Sequence, residues 1–410
     1  MPTEKSDPNS SRYVLSLNIG SSSLKFALYG LTSTSNAAYA SSAALGWAIH
    51  HDACLKGNEP LQPSDDSLDR VLADLAQKVK AAIASHDQAQ PGTLVAVAHR
   101  IVHGGRQFSG PAVLSEPDIQ ALEAFNPLAP LHQPFNLRGV RACQKAFPGV
   151  IAVGCFDTAF HFTMPEVERR FALPQSYFEQ GIGRYGFHGL SYDYVARRMQ
   201  EASPKAKGRM LMAHLGNGAS LCAAVNGQSI ASSMGFSAVD GLVMGTRCGA
   251  LDPGVVLHLL QQGQTPEAIE KLLYKESGLL GLSGESSDMR RLLASTNPQS
   301  QMAVQVFLHR LVREMGGLVS LLQGLDVLVF TGGIGENQPV IRQEACDQLA
   351  YLGLLIDPLA NQQVSRVIGK GHPLAIHAAD SSAEIWVLAT DEGRVAAEQA
   401  VGLYSASLGV

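Results

Sequence analysis

Residues 12–26 read Arg-Tyr-Val-Leu-Ser-Leu-Asn-Ile-Gly-Ser-Ser-Ser-Leu-Lys-Phe. The apolar run 14–19 predicts a buried strand. Gly20 and three serines stop it, and a second apolar run, 24–29, follows. That pattern is a β-hairpin with a small-residue turn. Gly and Ser let backbone N–H groups and hydroxyls close on an anion, and Lys25 adds a point charge. Asn18, at the strand end, offers an oxygen to a metal or its water. An ordinary hairpin whose serines cap their own turn fits the same letters.

The device recurs. Residues 209–225 again run an apolar strand into Gly216-Asn217-Gly218, and an apolar strand leaves toward the turn Asn226-Gly227. A third glycine turn, 331–337 (Thr-Gly-Gly-Ile-Gly-Glu-Asn), follows a strand at 326–330 and precedes a helix at 338–352. Two similar hairpins half a chain apart point to a duplicated domain, with a nucleotide expected between the halves.

Composition agrees with a chain of two domains. A chain of 410 residues, 46% hydrophobic and 16% charged, carries two domains with sizeable cores. The net charge of −5 gives no reason to expect nucleic acid or an anionic membrane as partner. The polar start, 1–12, has no apolar core of a secretory signal, and no apolar run reaches the length of a membrane span. The six cysteines form no Cys-x-x-Cys pair, which points to reduced thiols in the cytoplasm and away from a disulfide frame or a zinc site.

Other segments carry candidate chemistry. Leu68, Val71, Leu72, Leu75, Val79 and Ile83 recur at helical spacing. A short strand at 94–98 runs into His99-Arg100-Ile101-Val102-His103-Gly104-Gly105. Arg100 there is a ligand contact or a surface ion pair. A helix at 118–125 leads to a three-proline loop, 127–134. Asn136 is expected to cap a helix through Phe147. Strand 150–155 ends at Asp157, either a turn cap or a catalytic carboxylate. The loop 181–189 carries Arg184 and His188, and a helix follows at 191–199. The glycine-rich stretch 232–253 carries Arg247. Helices are expected at 255–262, 266–274 and 301–323, with a short one opening at 286–290. A strand at 385–389 and a helix at 392–403 end the chain.

These motifs in this order resemble the acetate kinase family, over residues 12 to 403: Asn-Ile-Gly-Ser-Ser-Ser-Leu-Lys (18–25), His-Arg-Ile-Val-His-Gly-Gly (99–105), Phe-Asp-Thr-Ala-Phe-His (156–161), Tyr-Gly-Phe-His-Gly (185–189), His-Leu-Gly-Asn-Gly-Ala-Ser (214–220), Gly-Thr-Arg (245–247) and Thr-Gly-Gly-Ile-Gly-Glu-Asn (331–337). The resemblance implies an α/β fold of two duplicated actin-like (ribonuclease H-like) domains, with the nucleotide in the cleft between them. Its domains would be 12–155, joined by a C-terminal helix at 393–405, and 156–392, carrying most of the ATP site. It implies reversible, ATP-dependent phosphorylation of acetate to acetyl phosphate by in-line transfer. Mg2+ or Mn2+ would serve as the ion, and the enzyme would be a cytoplasmic homodimer.

Roles carry over by position. Asn18 and Glu392 would order the metal. Ser21, Ser23 and Lys25 would line the phosphates. Arg100 would pair with the acetate carboxylate, and Arg247 with carboxylate and migrating phosphoryl. His188 would donate a hydrogen bond to the transition state. Asp157 would orient an arginine or the metal's water, because a carboxylate nucleophile has no proton to lose. Val102, Leu131, Phe187 and Ala238 would wall the acyl pocket. His214, Leu215, Gly216, Asn217 and Gly218 would hold ATP, as would Asp288, Met289 and Arg290. Gly332, Gly333, Ile334, Gly335, Glu336 and Asn337 would sit near its adenosine.

The chain departs from the family pattern at several places. Ala238 stands where Pro is usual, Gln133 where the loop usually has Asn, Cys248 where Ser is usual, Ala250 where Asp is usual, and Tyr192 where His is common. Propionate is therefore the rival substrate. A non-catalytic nucleotide-binding module of the actin type is the rival from another class, but it needs none of Arg100, His188 and Arg247.

Overall fold

The computed structural model describes residues 11–20, 23–33, 47–49, 53–61, 65–86, 92–130, 132–368 and 371–408. Ser21 and Leu131 lie outside the described residues.

The elements in chain order begin with β1 (Arg12–Ile19), β2 (Ser23–Ser33), β3 (Trp47–Ile49), β4 (Leu55–Pro60), α1 (Asp65–His86), β5 (Thr93–Ile101), β6 (Ala112–Val113), α2 (Glu116–Glu123), α3 (Gln133–Ala146) and β7 (Ile151–Phe156). Next come α4 (Glu166–Arg169), α5 (Gln175–Glu179), α6 (Gly189–Ala202), β8 (Arg209–Leu215), β9 (Ala219–Val225) and β10 (Gln228–Ser232). Then follow α7 (Pro253–Gln261), α8 (Pro266–Lys275), α9 (Gly278–Ser283), α10 (Met289–Ala294), α11 (Pro298–Leu322), β11 (Val327–Thr331) and α12 (Gly332–Asn337). The last are α13 (Pro339–Gln348), α14 (Pro358–Val367), β12 (Leu374–Ala375), β13 (Glu384–Val387) and α15 (Glu392–Ser407).

The chain divides into two compact units, Met1–Ala159 with Asp391–Val410, and Phe160–Thr390. Asp157 and Glu392 therefore both belong to the first. Each unit holds one mixed sheet. The first has the order β3-β2-β1-β5-β7-β6, with β4 also on β2; the second has β10-β9-β8-β11-β13-β12. In both, an antiparallel hairpin joins parallel central strands and a short antiparallel strand closes the far edge. The same plan twice in one chain is the duplication that the two hairpins foretold.

In the first unit, strand alternation sorts the two faces of the sheet. Tyr13, Leu15, Leu17 and Ile19 pack on Leu72, Leu75 and Val79 of α1 and on Ala142 and Cys143 of α3. The other face carries Ser16, Asn18 and Arg100, and the register places Lys25 opposite Asn18 and Ala98 opposite Ser16. Helix α15 begins over that face. A Cβ built on Gly393 would stand 3.4 Å from Ser16 Oγ and 3.7 Å from Tyr29 Oη. The polar hairpin residues and the N-terminus of α15 thus share one side of the sheet.

In the second unit, four helices open on a capping residue followed by proline. Asp252 accepts from Gly254 N, Thr265 from Ala268 N, Asn297 from Gln299 N, and Asp357 from Leu359 N and Ala360 N. The side-chain oxygen satisfies a free amide, and proline sits where no donor is needed. The helices consequently start earlier than apolar spacing suggests, at Pro253 and Pro298 instead of 255 and 301.

Three expectations are corrected. Asn136 is not a cap: it lies inside α3, buried, with Nδ2 donating to Ile19 O and Oδ1 accepting from Val102 N. The glycine turn at 332–337 is itself a helix, closed by Glu336 accepting from Gly332 N. The stretch 278–290 holds a first helix, α9, before the expected one. Among the described residues, no helix is long and apolar enough to cross a membrane.

Candidate active site

In the first unit, β5 and β7 end side by side, with Arg100 opposite Cys155 in the register. The chain then turns, and Asp157 N donates to Ile101 O at 3.0 Å. This aims the Asp157 carboxylate at Arg100. Arg100 Nε lies 3.1 and 3.2 Å from its two oxygens and Nη2 lies 2.8 Å from Oδ2. Arg100 Nη1 donates to Glu392 Oε2, the first residue of α15. Among the described residues this leaves two guanidinium N–H donors, one on each terminal nitrogen, for a ligand. Arg100 was expected to pair with a substrate carboxylate; it is already held by two of the protein's own.

Two carboxylates share one cation. Burial pushes Asp157 up to about 6, Glu392 adds to the rise, and Arg100 opposes it. For Arg100, burial works against the charge but the two carboxylates prevail and raise its pKa. Val102 is buried in the same unit, its backbone tied to Asn136. Gln133, unexposed, clamps both backbone groups of His103, accepting from N at 3.0 Å and donating to O at 2.9 Å.

In the second unit the β8–β9 turn is the centre. A Cβ built on Gly218 would stand 2.7 Å from Arg247 Nη2 and 3.3 Å from His188 Nε2. Only glycine lets both side chains close on this turn. Arg247 is 9% exposed, and its Nη1 donates to Ala238 O at 2.6 Å. Burial lowers its pKa to about 10, with Tyr274 opposing, so it stays cationic at neutral pH. The turn that carries it, 244–247, is bonded from both sides. Gly245 N donates to Asn217 O, while Ser277, Leu279 and Leu280 donate their amides to Thr246, Met244 and Gly245 carbonyls. Gly278, with φ +63, meets the backbone of Met244 and Arg247 so closely that a side chain there would displace the turn.

His188 adopts φ +59, a left-handed conformation uncommon outside glycine. Its Nδ1 lies 2.8 Å from Ser220 Oγ, and its ring stacks on His214 at 4.2 Å. His214 Nδ1 lies 2.8 Å from Ser191 Oγ. The carbonyl before His188, that of buried Phe187, is fixed by His161 Nε2 at 2.9 Å. A carbonyl only accepts, so Nε2 of His161 carries the proton and Nδ1 accepts from Ser229 Oγ at 2.8 Å. His161 and Ser220 were given no role from the sequence, and Asn136 only that of a cap. His161 and Ser220 were visible as the last letters of the 156–161 and 214–220 motifs, but no local signal told what they or Asn136 would touch.

Ser23 and Lys25 lie on β2 of the first unit, and the nucleotide candidates at 288–290 and 332–337 lie in the second. Asp288 caps α10 through Arg290 N and pairs with the exposed Arg290 side chain; Met289 is buried. Helix α12 is gripped from behind by Arg342. That unexposed side chain donates to Gly335 O, Glu336 O and Asn361.

Buried histidines set an acid limit on stability. Burial lowers His99 and His103 to about 3 and His161 to about 4. A lowered folded-state pKa leaves stability whole above the unfolded value, about 6.5, and removes it as pH falls, because the unfolded chain takes the proton first. Asp157, raised, runs the opposite way. In the first unit two histidines outweigh one aspartate between pH 6 and 4. In the second unit burial raises Glu168, Glu314 and Glu336, and these oppose His161. The first unit should lose about 1.4 kcal/mol per pH unit over that window. Urea midpoints at pH 7, 6 and 5 should fall stepwise, and constant midpoints would contradict this.

The acetokinase family pattern matches residues 13–398. An acetate kinase of Rhodopseudomonas palustris (strain TIE-1) is 46% identical over 390 residues, 92% of this chain and 95% of that protein. An acetate kinase of Methylocella silvestris is 43% identical over 408 residues, 96% of this chain and 98% of that one. Among solved structures, Porphyromonas gingivalis acetate kinase aligns with a TM-score of 0.74 at 34% identity, over 95% of this chain and 98% of that one. A propionate kinase from Francisella tularensis subsp. tularensis SCHU S4 aligns with a TM-score of 0.77 at 33% identity, with the same coverage.

Proposed function

The chain belongs to the acetokinase family, and we propose how its own residues carry out ATP-dependent phosphorylation of acetate to acetyl phosphate. The chemistry brings a carboxylate up to a phosphoryl group, two anions, with no proton to remove. Catalysis is therefore positioning and charge neutralisation. Arg247 Nη2 and His188 Nε2, both at the Gly218 turn, serve the migrating phosphoryl group as fixed charge and neutral donor. Their convergence on one glycine is the observation that carries this reading. Arg100 offers its two remaining donors to the acetate carboxylate, and Asp157 and Glu392 hold its plane. Ser21, Ser23, Lys25, residues 214–218, 288–290 and 332–337 bind the nucleotide.

Asn18 and Glu392 hold Mg2+, and Mn2+ fits the same donors. Among the described residues no group of three or more His, Cys, Asp or Glu could hold a metal. A sparse, all-oxygen pair suits a hard cation that keeps its waters and binds phosphates. When bound, the ion neutralises phosphate charge.

The acyl pocket decides between acetate and propionate. The small Ala238, 5% exposed, bears the carbonyl that anchors Arg247. If position 238 walls the acyl pocket, the missing proline ring leaves room for about one or two methylenes, and one methylene changes discrimination by about 10–200-fold. The test uses ATP, hydroxylamine and a panel of short carboxylates. Acetate should give acetohydroxamate and ADP in equal amounts, and nucleotide hydrolysis without hydroxamate would contradict the function. In the same assay Ala238→Pro should lower kcat/KM for propionate more than for acetate. An unchanged ratio in a stable variant would remove position 238 from acyl selection.

The reading makes the enzyme a cytoplasmic homodimer. Helix α7 supports a second copy as partner: it has no buried residue, and Val255, Leu257 and Leu260 are 39%, 60% and 41% exposed. Leu257→Asp should shift sedimentation to the monomer, and a wild type that sediments as a monomer would rule the dimer out.

A further inference from the structure

Three side chains, two from the start of α6 and one from β9, form one line of hydrogen bonds. Tyr192 Oη, on α6, lies 2.6 Å from Ser220 Oγ, on β9. Ser220 Oγ lies 2.8 Å from His188 Nδ1. Tyr192 and Ser220 are both unexposed. The Tyr192 oxygen also receives a backbone hydrogen bond from His214.

Each hydroxyl has one proton to give. If His188 carried its proton on Nδ1, that nitrogen would donate to Ser220 and Ser220 to Tyr192. The Tyr192 proton would then find no acceptor among the described residues, and an unpaired buried donor is costly. In the opposite direction Tyr192 donates to Ser220, Ser220 donates to Nδ1, and every proton is used. We infer that Tyr192 is a positioning residue: through Ser220 it fixes His188 as the neutral tautomer with its proton on Nε2, the nitrogen beside Arg247 at the Gly218 turn.

The backbone beneath the ring is fixed independently. His161 holds the Phe187 carbonyl, and Tyr192 N donates to His188 O at 3.0 Å. Tyr192 therefore ties His188 twice, once by its amide and once by its phenol. A phenol suits this place because it has a single proton and gives it in one direction. A histidine there could take up a second proton or switch tautomer, and the relay would then follow pH. The catalytic consequence rests on the reading of His188 as a donor to the phosphoryl group.

The test is nitrogen NMR on full-length protein labelled with 15N-histidine, with His188 assigned by its loss in His188→Gln. In the wild type Nδ1 should resonate as an unprotonated nitrogen and Nε2 as N–H. The reverse pattern would overturn the inference without any variant. Tyr192→Phe and Ser220→Ala should each bring in the Nδ1–H form. They should lower kcat by about 5–30-fold while KM for acetate and ATP moves less than about twofold. Tyr192→His, whose ring can still donate to Ser220, should keep the wild-type tautomer at pH 8. A His188 tautomer unchanged in both Tyr192→Phe and Ser220→Ala would also overturn the relay. A changed tautomer with unchanged kcat would leave the relay standing and remove His188 from the reaction.

Discussion

Arg247→Ala is expected to lower kcat by about two to three orders of magnitude, the scale of losing one preorganised charge-stabilising donor. The side chain is fixed before any ligand arrives. One terminal nitrogen is held by Ala238 O, the other stands at Gly218, and the turn beneath is bonded to residues 217 and 277–280. Little reorganisation is left for the moment of transfer. Arg247→Lys should recover little. An ammonium held by Ala238 O cannot also reach the Gly218 turn, whereas the planar fork does both. Unfolding midpoints should stay near wild type for Lys, which separates lost chemistry from lost fold. A near-normal kcat in Arg247→Ala would remove this residue from the transition state.

Arg100→Ala should damage stability and activity together. Arg100, Asp157 and Glu392 have side chains only 17%, 2% and 18% exposed. Removing the guanidinium leaves two carboxylates facing each other with little water, a loss of about 3–5 kcal/mol. Its pH dependence has a definite sign. Without its cation the Asp157 carboxyl moves further above its unfolded value, so the variant regains stability as pH falls. The deficit against wild type should be smaller at pH 5 than at pH 8 in urea melts. The double variant Arg100→Ala/Asp157→Asn should recover part of the lost stability and none of the activity, since the pair is directly coupled. Equal deficits at both pH values would show that the carboxylates are not what the arginine restrains.

The two hairpins made the fold legible, because a buried strand, a Gly/Ser turn and a second strand are signals within one short window. The repeat implied a repeated sheet, and the two sheets share one topology. Helix starts were less legible: periodicity marks buried positions, while Pro253 and Pro298 open their helices through the caps at Asp252 and Asn297. Helix α14 carries the same signal, Asp357-Pro358, and was still missed from spacing alone. In the site, single cations were visible, and Asp157 was expected to orient an arginine or the metal's water, without saying which. Arg100 stayed open between a ligand contact and a surface ion pair because Asp157 and Glu392 lie 57 and 292 residues away in sequence. Asn136 looked like a cap because its reach to Ile19 spans 117 residues. Partnerships of that separation are made by tertiary packing and leave no local pattern.

The central claim is that Arg247 serves the migrating phosphoryl group more than the bound substrates. Nitrate, a planar anion shaped like a transferring phosphoryl group, measures this when it inhibits in the presence of ADP and acetate. Across wild type, Arg247→Lys, Arg247→Ala and Arg100→Ala, the loss of nitrate affinity should parallel the loss of kcat/KM, while ATP affinity changes by less than about threefold. Nitrate affinity that stays constant while kcat/KM collapses would contradict the account.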